Sequence, residues 1–164
     1  MFILHPAIIH LPIGLLVLYG LLELARWRRF IRLSFWAPMK TVLVVFGSLG
    51  AWAAVLSGEL WADLLGENEL LEIHEFFGYA TAIVFSLLAL AYLIHFKKIP
   101  FVSNSRASGR RLEKTAEFVL ETPMIVFLTL IGLIFLVITG ALGGGMAHGS
   151  ETDPLTRFIF GIFG

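Results

Sequence analysis

The sequence predicts an all-α membrane protein, a four-helix transmembrane bundle with both termini outside the cytoplasm. The 164 residues are 58% hydrophobic and 15% charged, with a mean hydropathy of +0.88, whereas soluble domains carry roughly 25% charged residues. The apolar residues are gathered into four stretches, each close to the ~20 residues that cross a bilayer core. We expect residues 1–164 to form a single four-helix transmembrane domain.

The predicted spans run from about residue 6 to 25, 41 to 60, 73 to 96 and 123 to 142. No Lys or Arg precedes Arg26 and no small-residue cleavage motif follows the first span, so we expect a retained helix and not a signal peptide. Residues 103–114 should form a polar, basic loop held by anionic lipid headgroups. The tail, 154–164, is apolar but too short to span, and we expect it to lie in the interface or to dock on a partner.

The charge pattern predicts the orientation. Five basic residues flank the first connection and six flank the third, namely Arg26, Arg28, Arg29, Arg32 and Lys40, then Lys97, Lys98, Arg106, Arg110, Arg111 and Lys114. The second connection holds acidic residues only, Glu59, Asp63, Glu67, Glu69, Glu72 and Glu75. Because Lys and Arg accumulate in cytoplasmic loops, we expect a multi-pass protein of the bacterial inner (cytoplasmic) membrane with both termini outside.

Four of the five histidines are predicted at the outer ends of three spans: His5, His10, His74 and His148. Histidines in transmembrane segments are rare and usually functional, so these four are the candidate cofactor- or metal-binding residues. The glycine-rich run before His148 predicts a flexible re-entry that brings this residue over the bundle mouth. His95 falls at the opposite side and is excluded from the site.

Carboxylates accompany the histidines. Glu59 and Asp63 are four residues apart and share a helix face, and Glu75 follows His74. They could accept the N–H of a ligating imidazole or bind a hard metal ion directly. Glu23, in contrast, can pair with Arg26 one turn further on, which we interpret as structural.

Small residues recur at helical spacing in three of the spans: Gly47, Gly50, Ala51, Ala54 and Gly58, then Gly78, Ala82 and Ser86, then Gly132, Thr139 and Gly140. Such stripes let membrane helices pack closely. They also leave room for a flat macrocycle at another depth, so both interpretations stay open.

These residues are consistent with three different functions. Two histidines on facing helices would ligate a b-type haem in an electron-transfer subunit, with His10 and His74 as the best pair; His5 and His148 would form a second pair or contact a propionate or a neighbouring chain. Several histidines with a carboxylate would suit a zinc, copper or iron ion. The third possibility is a structural subunit of a larger membrane complex, whose histidines make interhelical hydrogen bonds.

Several classes are excluded or disfavoured by what the sequence lacks. Without cysteine there is no disulfide, thiolate metal site or c-type haem. No nucleophile elbow, phosphate-binding glycine motif or nucleic-acid face is present, which favours an electron-transfer or binding subunit over a stand-alone enzyme. The middle of each span is apolar, which argues against a pump. The expected partners are the lipid bilayer, a redox partner or larger membrane complex, and a second copy of the chain.

Three segments carry a family resemblance: His5-Pro6…His10-Leu11-Pro12, His74 at the start of the third span, and Gly140-Ala141-Leu142-Gly143-Gly144…His148-Gly149. They resemble the bacterial four-helix membrane domain family designated domain of unknown function 2231, over nearly the whole chain. The family has no settled activity, and its occurrence beside Rieske and cytochrome domains implies a redox role by association. The chain departs from the family pattern at Leu11, where Phe is usual, and at Met146-Ala147.

Overall fold

The computed structural model describes residues 4–25, 33–65, 69–96, 108–151 and 153–163, and all of the regular secondary structure in these ranges is α-helical. The side chains of residues 4–7, 61–65 and 108 also lie outside the description. The described helices are α1 (Leu4–Leu24), α2 (Trp36–Leu65), α3 (Glu69–His95), α4 (Ser108–Glu121), α5 (Met124–His148) and α6 (Pro154–Phe163).

Among the described helices, three are long and apolar enough to cross a membrane, namely α2 over Trp36–Leu60, α3 and α5. They correspond to the second, third and fourth predicted spans. In α1 the apolar segment Ile8–Leu24 is shorter, near the lower limit of about 17 residues for a span. The membrane-helix prediction is thus confirmed for the second, third and fourth predicted spans, and the first predicted span stays a prediction.

The helices α1, α2, α3 and α5 pack antiparallel in a closed circuit, in which each contacts the next and α5 returns to α1. Residues near the start of α1 face the far part of α2, as the Pro12–Gly50 contact shows, whereas Glu23 at the end of α1 reaches Lys40 near the start of α2. We call the end with the start of α1 and the end of α5 the histidine end, and the opposite end the lysine end.

The core of this circuit is aromatic and aliphatic. Tyr19, fully buried, meets Phe85 and Tyr92 edge to face, with ring centroids 6.1 and 6.2 Å apart. The small residues allow close approach, because a Cβ added at Gly47 would lie 2.5 Å from Leu16 Cδ2, and one at Gly132 would lie 3.0 Å from the Phe85 ring. At these positions the packing interpretation of the small-residue stripes is confirmed.

Two predicted loops are wrong because tertiary packing favours a helix. Part of the expected loop 103–114 belongs to α4, where Ala116 is buried against Ala91 and Ile94 of α3; residues 103–107 lie outside the description. The last span also continues past residue 142 to His148, through the glycine run. The helix persists there because rings pack on it: a Cβ at Gly143 would lie 2.9 Å from His74 Cε1, and one at Gly145 would lie 2.1 Å from Phe160 Cε2.

The predicted apolar tail is the helix α6, which docks on the chain itself. Asp153 caps it by accepting the backbone N–H groups of Leu155 and Thr156 at 2.9 and 3.0 Å, a typical N-cap arrangement. Buried or half-buried residues pack it against α5 and α3, namely Ile159, Phe160 and Phe163 against Ala141, Leu142, Leu70, Ile73 and Phe77. The tail therefore covers part of the histidine end.

Candidate functional site

His74 lies between α3 and α5 in a fixed orientation. Its Nδ1 is 3.0 Å from the backbone carbonyl oxygen of Thr139. Because a carbonyl oxygen can only accept a hydrogen bond, Nδ1 of His74 carries a proton and donates it to this contact. The ring also lies against the α5 backbone at Gly143. The glycine is needed at this position to let the imidazole reach the carbonyl.

The predicted carboxylates lie on the α2 side of His74. A cavity of about 40 Å³ is lined by His74, Glu59, Glu75 and Tyr79, together with Val55, Gly58, Leu71 and Gly78. The Tyr79 hydroxyl donates to Glu59. This cavity is large enough for a water molecule or a single ion and far too small for a macrocycle. The side chain of Asp63 lies outside the described residues.

His148 belongs to a different and larger space. A groove of about 380 Å³ runs between α1 and α5 and reaches the start of α6; it is lined by Ile13, Val17, Leu136, Val137, Gly140, Ala141, Gly144, His148, Asp153, Leu155 and Thr156. A Cβ at Gly140 or Gly144 would meet nothing within 4 Å, so these glycines form an open floor. The groove is apolar along its length and polar at the end that holds His148 and Asp153.

His10 lies on α1, nearer to the histidine end than the α1 residues that line this groove. It precedes Ile13 and Val17 by three and seven residues, which places all three on one helix face. On α5 the same spacing argument aligns Gly140, Gly144 and His148. His10 and His148 are both exposed and continue the two facing walls towards the histidine end. The side chain of His5 lies outside the described residues.

The structure thus divides the predicted histidines between two places. His10 and His148 continue the walls of the groove, whereas His74 lies on another face of α5, at Thr139 and Gly143. Among the side chains that are described, no three His, Asp or Glu groups are placed to hold one metal ion.

A second polar site lies at the lysine end and was missed by the sequence analysis. The Lys40 ammonium is 2.7 Å from Glu23 Oε2, and the Tyr92 hydroxyl donates to the same oxygen at 2.6 Å. All three residues are buried, Glu23 to 2% exposure. The expected partner of Glu23, Arg26, lies outside the described residues. The pairing that is described joins α1 to α2 and α3, so it ties three helices together.

A cavity of about 210 Å³ adjoins this ion pair. It is lined by Glu23, Lys40, Tyr92, Trp36, His95, Phe96, Glu121, Leu22, Ala37 and Leu120. His95, which the sequence analysis excluded from the outer site, is exposed at its edge and meets Phe96 edge to face. The signal for this site in the sequence was Glu23, an ionisable residue inside an apolar span.

Comparison with known proteins identifies the family. A family model described as a predicted membrane protein, DUF2231, matches residues 2–153, which include α1 to α5 and stop before α6. No curated protein and no solved structure matches the chain. The chain therefore belongs to the DUF2231 family of predicted membrane proteins, as its histidine motifs indicated.

Proposed function

We propose that this protein is a membrane-bound electron-transfer subunit that holds a b-type haem in the groove between α1 and α5. One observation carries the proposal. The groove over Gly140 and Gly144 has His148 of α5 in its lining, and His10 of α1 lies on the same helix face as the lining residues Ile13 and Val17. Histidine is a common ligand of haem iron, and one histidine from each of two facing helices would supply a bis-imidazole pair.

The size and lining of the groove support a flat apolar ligand. Its volume of about 380 Å³ lies within the ~300–1,000 Å³ range of cofactor and ligand pockets. Gly140 and Gly144 would let a macrocycle approach the α5 backbone, since no neighbouring atom fills the space over them. Within the groove, the apolar side chains would exclude water from the bound group, while the end that holds His148 and Asp153 is polar.

This proposal changes the ligand pair favoured by the sequence. His10 with His74 was the expected pair, but His74 adjoins a 40 Å³ cavity in which a macrocycle has no room. We therefore propose that His10 and His148 would hold the haem iron and that His74 holds α3 to α5 through the Thr139 carbonyl. When bound, the haem would supply one-electron transfer; the chain would supply ligands, orientation and an apolar wall.

The proposed membrane arrangement is a four-helix bundle in the bacterial inner membrane with both termini outside. Eleven of the twelve Lys and Arg residues fall in or beside the two connections at the lysine end, Arg157 being the exception, and this distribution supports the orientation. Since the chain has no cysteine, single substitutions can report the orientation. Cysteine at Ser150 should react with an impermeant thiol reagent applied to intact cells, and cysteine at Ser34 should react only after the membrane is opened. The reverse pattern would invert the proposed orientation.

The haem proposal is tested by optical spectroscopy of protein purified from haem-replete cells. We expect a Soret band and, on reduction, the α-band of a bis-imidazole haem. The variants His10→Ala and His148→Ala should each abolish the bis-imidazole spectrum, whereas His95→Ala should leave it unchanged. A colourless wild-type protein would overturn the proposal, and metal analysis would then test a zinc, copper or iron ion instead.

A matched pair of glycine substitutions tests the groove without touching a histidine. Gly140→Leu should fill the floor and prevent haem binding, while Gly161→Leu, at an exposed α6 position that also has open space around it, should not. If His74→Ala abolishes the spectrum and His148→Ala does not, the haem is ligated by His10 and His74 and the groove assignment is wrong.

A second candidate function is supported by His74 alone. Its hydrogen bond to Thr139 is an interhelical bond of the kind expected in a structural subunit of a larger membrane complex. Under this alternative His74→Ala should lower thermal stability, and the purified wild-type protein should contain neither haem nor a stoichiometric metal ion.

A further inference from the structure

We propose that the 210 Å³ cavity at the lysine end binds the ring of a membrane-soluble quinone or its quinol. The cavity is separate from the histidine groove and uses none of its residues. The inference therefore goes beyond the proposed haem site and does not require haem to be present.

The cavity has the right size for one substituted six-membered ring. An apolar cavity of about 150 Å³ is enough to bind benzene, and this one holds about 210 Å³. Aromatic side chains of α2 and α3 line it, Trp36 at 8% exposure, Tyr92 and Phe96. Tyr92 and Phe96 lie nearly parallel, with centroids 6.5 Å apart and an 11° interplanar angle. Such walls favour a flat ring over a flexible chain.

The polar groups in the same walls match the oxygens of a quinone. Lys40 carries three N–H donors, of which Glu23 Oε2 takes one among the described contacts, so the ammonium can also donate to a ring carbonyl. Glu23 and Glu121 offer carboxylate oxygens that can accept from the hydroxyl groups of a quinol. A ring with oxygens at opposite positions would use both kinds of partner.

The charges in the cavity argue against ionic ligands. The Lys40 ammonium lies 2.7 Å from Glu23 and 5.6 Å from the centroid of the Tyr92 ring, so the buried pair offers no net charge to an ionic ligand. An anion would meet two carboxylates. The ligand that this set of groups favours is neutral, with polar atoms at its edges. A neutral ligand can also dissolve in the bilayer, because it avoids the free-energy cost of placing a charge in lipid.

The test is equilibrium binding of a benzoquinone with a ten-carbon tail to the full chain in lipid nanodiscs, with empty nanodiscs subtracted. Ala37 lines the cavity, and Ala53 lies exposed on the same helix. Ala37→Leu adds three carbons inside the cavity and should weaken binding by about tenfold or more, since the larger side chain takes space that the ring would occupy. Ala53→Leu should bind as the wild type does.

A double variant tests the two charged groups of the cavity, because it replaces both of them with apolar side chains of similar size. Glu23→Leu combined with Lys40→Met removes both charges together, which avoids leaving one buried charge unpaired, and should weaken quinone binding while the protein still folds. Equal binding by the wild type and Ala37→Leu, or equal loss with Ala37→Leu and Ala53→Leu, would overturn the proposal. Because binding is measured on haem-free protein, its failure is distinct from the absence of a haem spectrum.

Discussion

The contact between Gly145 and Phe160 makes the docking of α6 sensitive to a single methyl group. A Cβ at Gly145 would lie 2.1 Å from Cε2 and 2.5 Å from Cζ of the Phe160 ring, whereas ordinary contacts begin at 3.4 Å. The ring would have to move by about 1.3 Å, the difference between 3.4 and 2.1 Å. Gly145→Ala should therefore displace Phe160 and loosen α6.

Two opposing effects set the magnitude. Replacing glycine by alanine inside a helix stabilises it by up to ~1 kcal/mol. Overpacking costs ~1–3 kcal/mol, and full exposure of the half-buried Phe160 ring would cost less than the ~1.5–3 kcal/mol of a fully buried side chain. We expect the clash to dominate, with a net loss of about 1–2 kcal/mol. At Gly144 a Cβ meets nothing within 4 Å, so Gly144→Ala should be neutral or slightly stabilising.

Trypsin gives a local assay for this prediction. Arg157 in α6 is the only basic residue after Lys114, and cleavage after it releases the last seven residues, 158–164. Gly145→Ala should accelerate this cleavage and lower the thermal midpoint, and Gly144→Ala should do neither. In a Phe160→Ala background the ring is absent, so Gly145→Ala should change neither the cleavage rate nor the thermal midpoint. If Gly145→Ala is cleaved as slowly as Gly144→Ala in the wild-type background, the contact does not limit docking.

Two further predictions concern polar groups. Removing one partner of the buried pair, by Glu23→Gln or Lys40→Met, should cost ~3–5 kcal/mol in unfolding free energy, whereas the triple variant Glu23→Leu, Lys40→Met, Tyr92→Phe should be close to wild type; equal losses in all three would refute the ion-pair argument. Hydrogen bonds from the Thr156 hydroxyl and the Thr156 and Leu155 N–H groups lower the pKa of Asp153. The stability that Asp153 supplies should be full above about pH 4, the ordinary aspartate pKa, and vanish as the pH falls through the lowered value. The difference in thermal midpoint between the wild type and Asp153→Ala should disappear over that range; a constant difference would contradict the capping role.

The long apolar helices were predictable because hydropathy needs no tertiary information. A run of about 20 apolar residues has few alternatives to a helix in lipid, so the second, third and fourth spans were placed correctly. Their ends were not. Nothing in Gly143-Gly144-Gly145 signals a helix locally, since glycine has a low helix propensity. The helix extends through it because the His74 and Phe160 rings occupy the space that side chains would fill, and those rings come from other parts of the chain.

For the candidate sites, too, the residue types could be predicted from the sequence and their grouping in space could not. Intramembrane histidines could be recognised as candidates from rarity alone, but their grouping depends on which face of each helix they occupy. His74 and His148 are on neighbouring elements and close to one end, yet the Thr139 carbonyl and the groove floor lie on different faces of α5. The sequence predicts how deep each histidine lies in the membrane, but not which neighbouring helix its face is turned towards, so it could not assign His74 and His148 to different sites.

The buried pair of Glu23 and Lys40 was missed because the sequence analysis counted charges by position along the chain. Counted by position, Lys40 is one of five basic residues that flank the first connection, and Glu23 has a basic run close behind it. In the structure the two are buried and face each other across α1 and α2, with Tyr92 completing the set. Burying a paired charge rarely adds net stability compared with apolar packing. A buried carboxylate, ammonium and phenol that share a wall with a ring-sized cavity are therefore better explained by a ligand that uses them than by the fold alone.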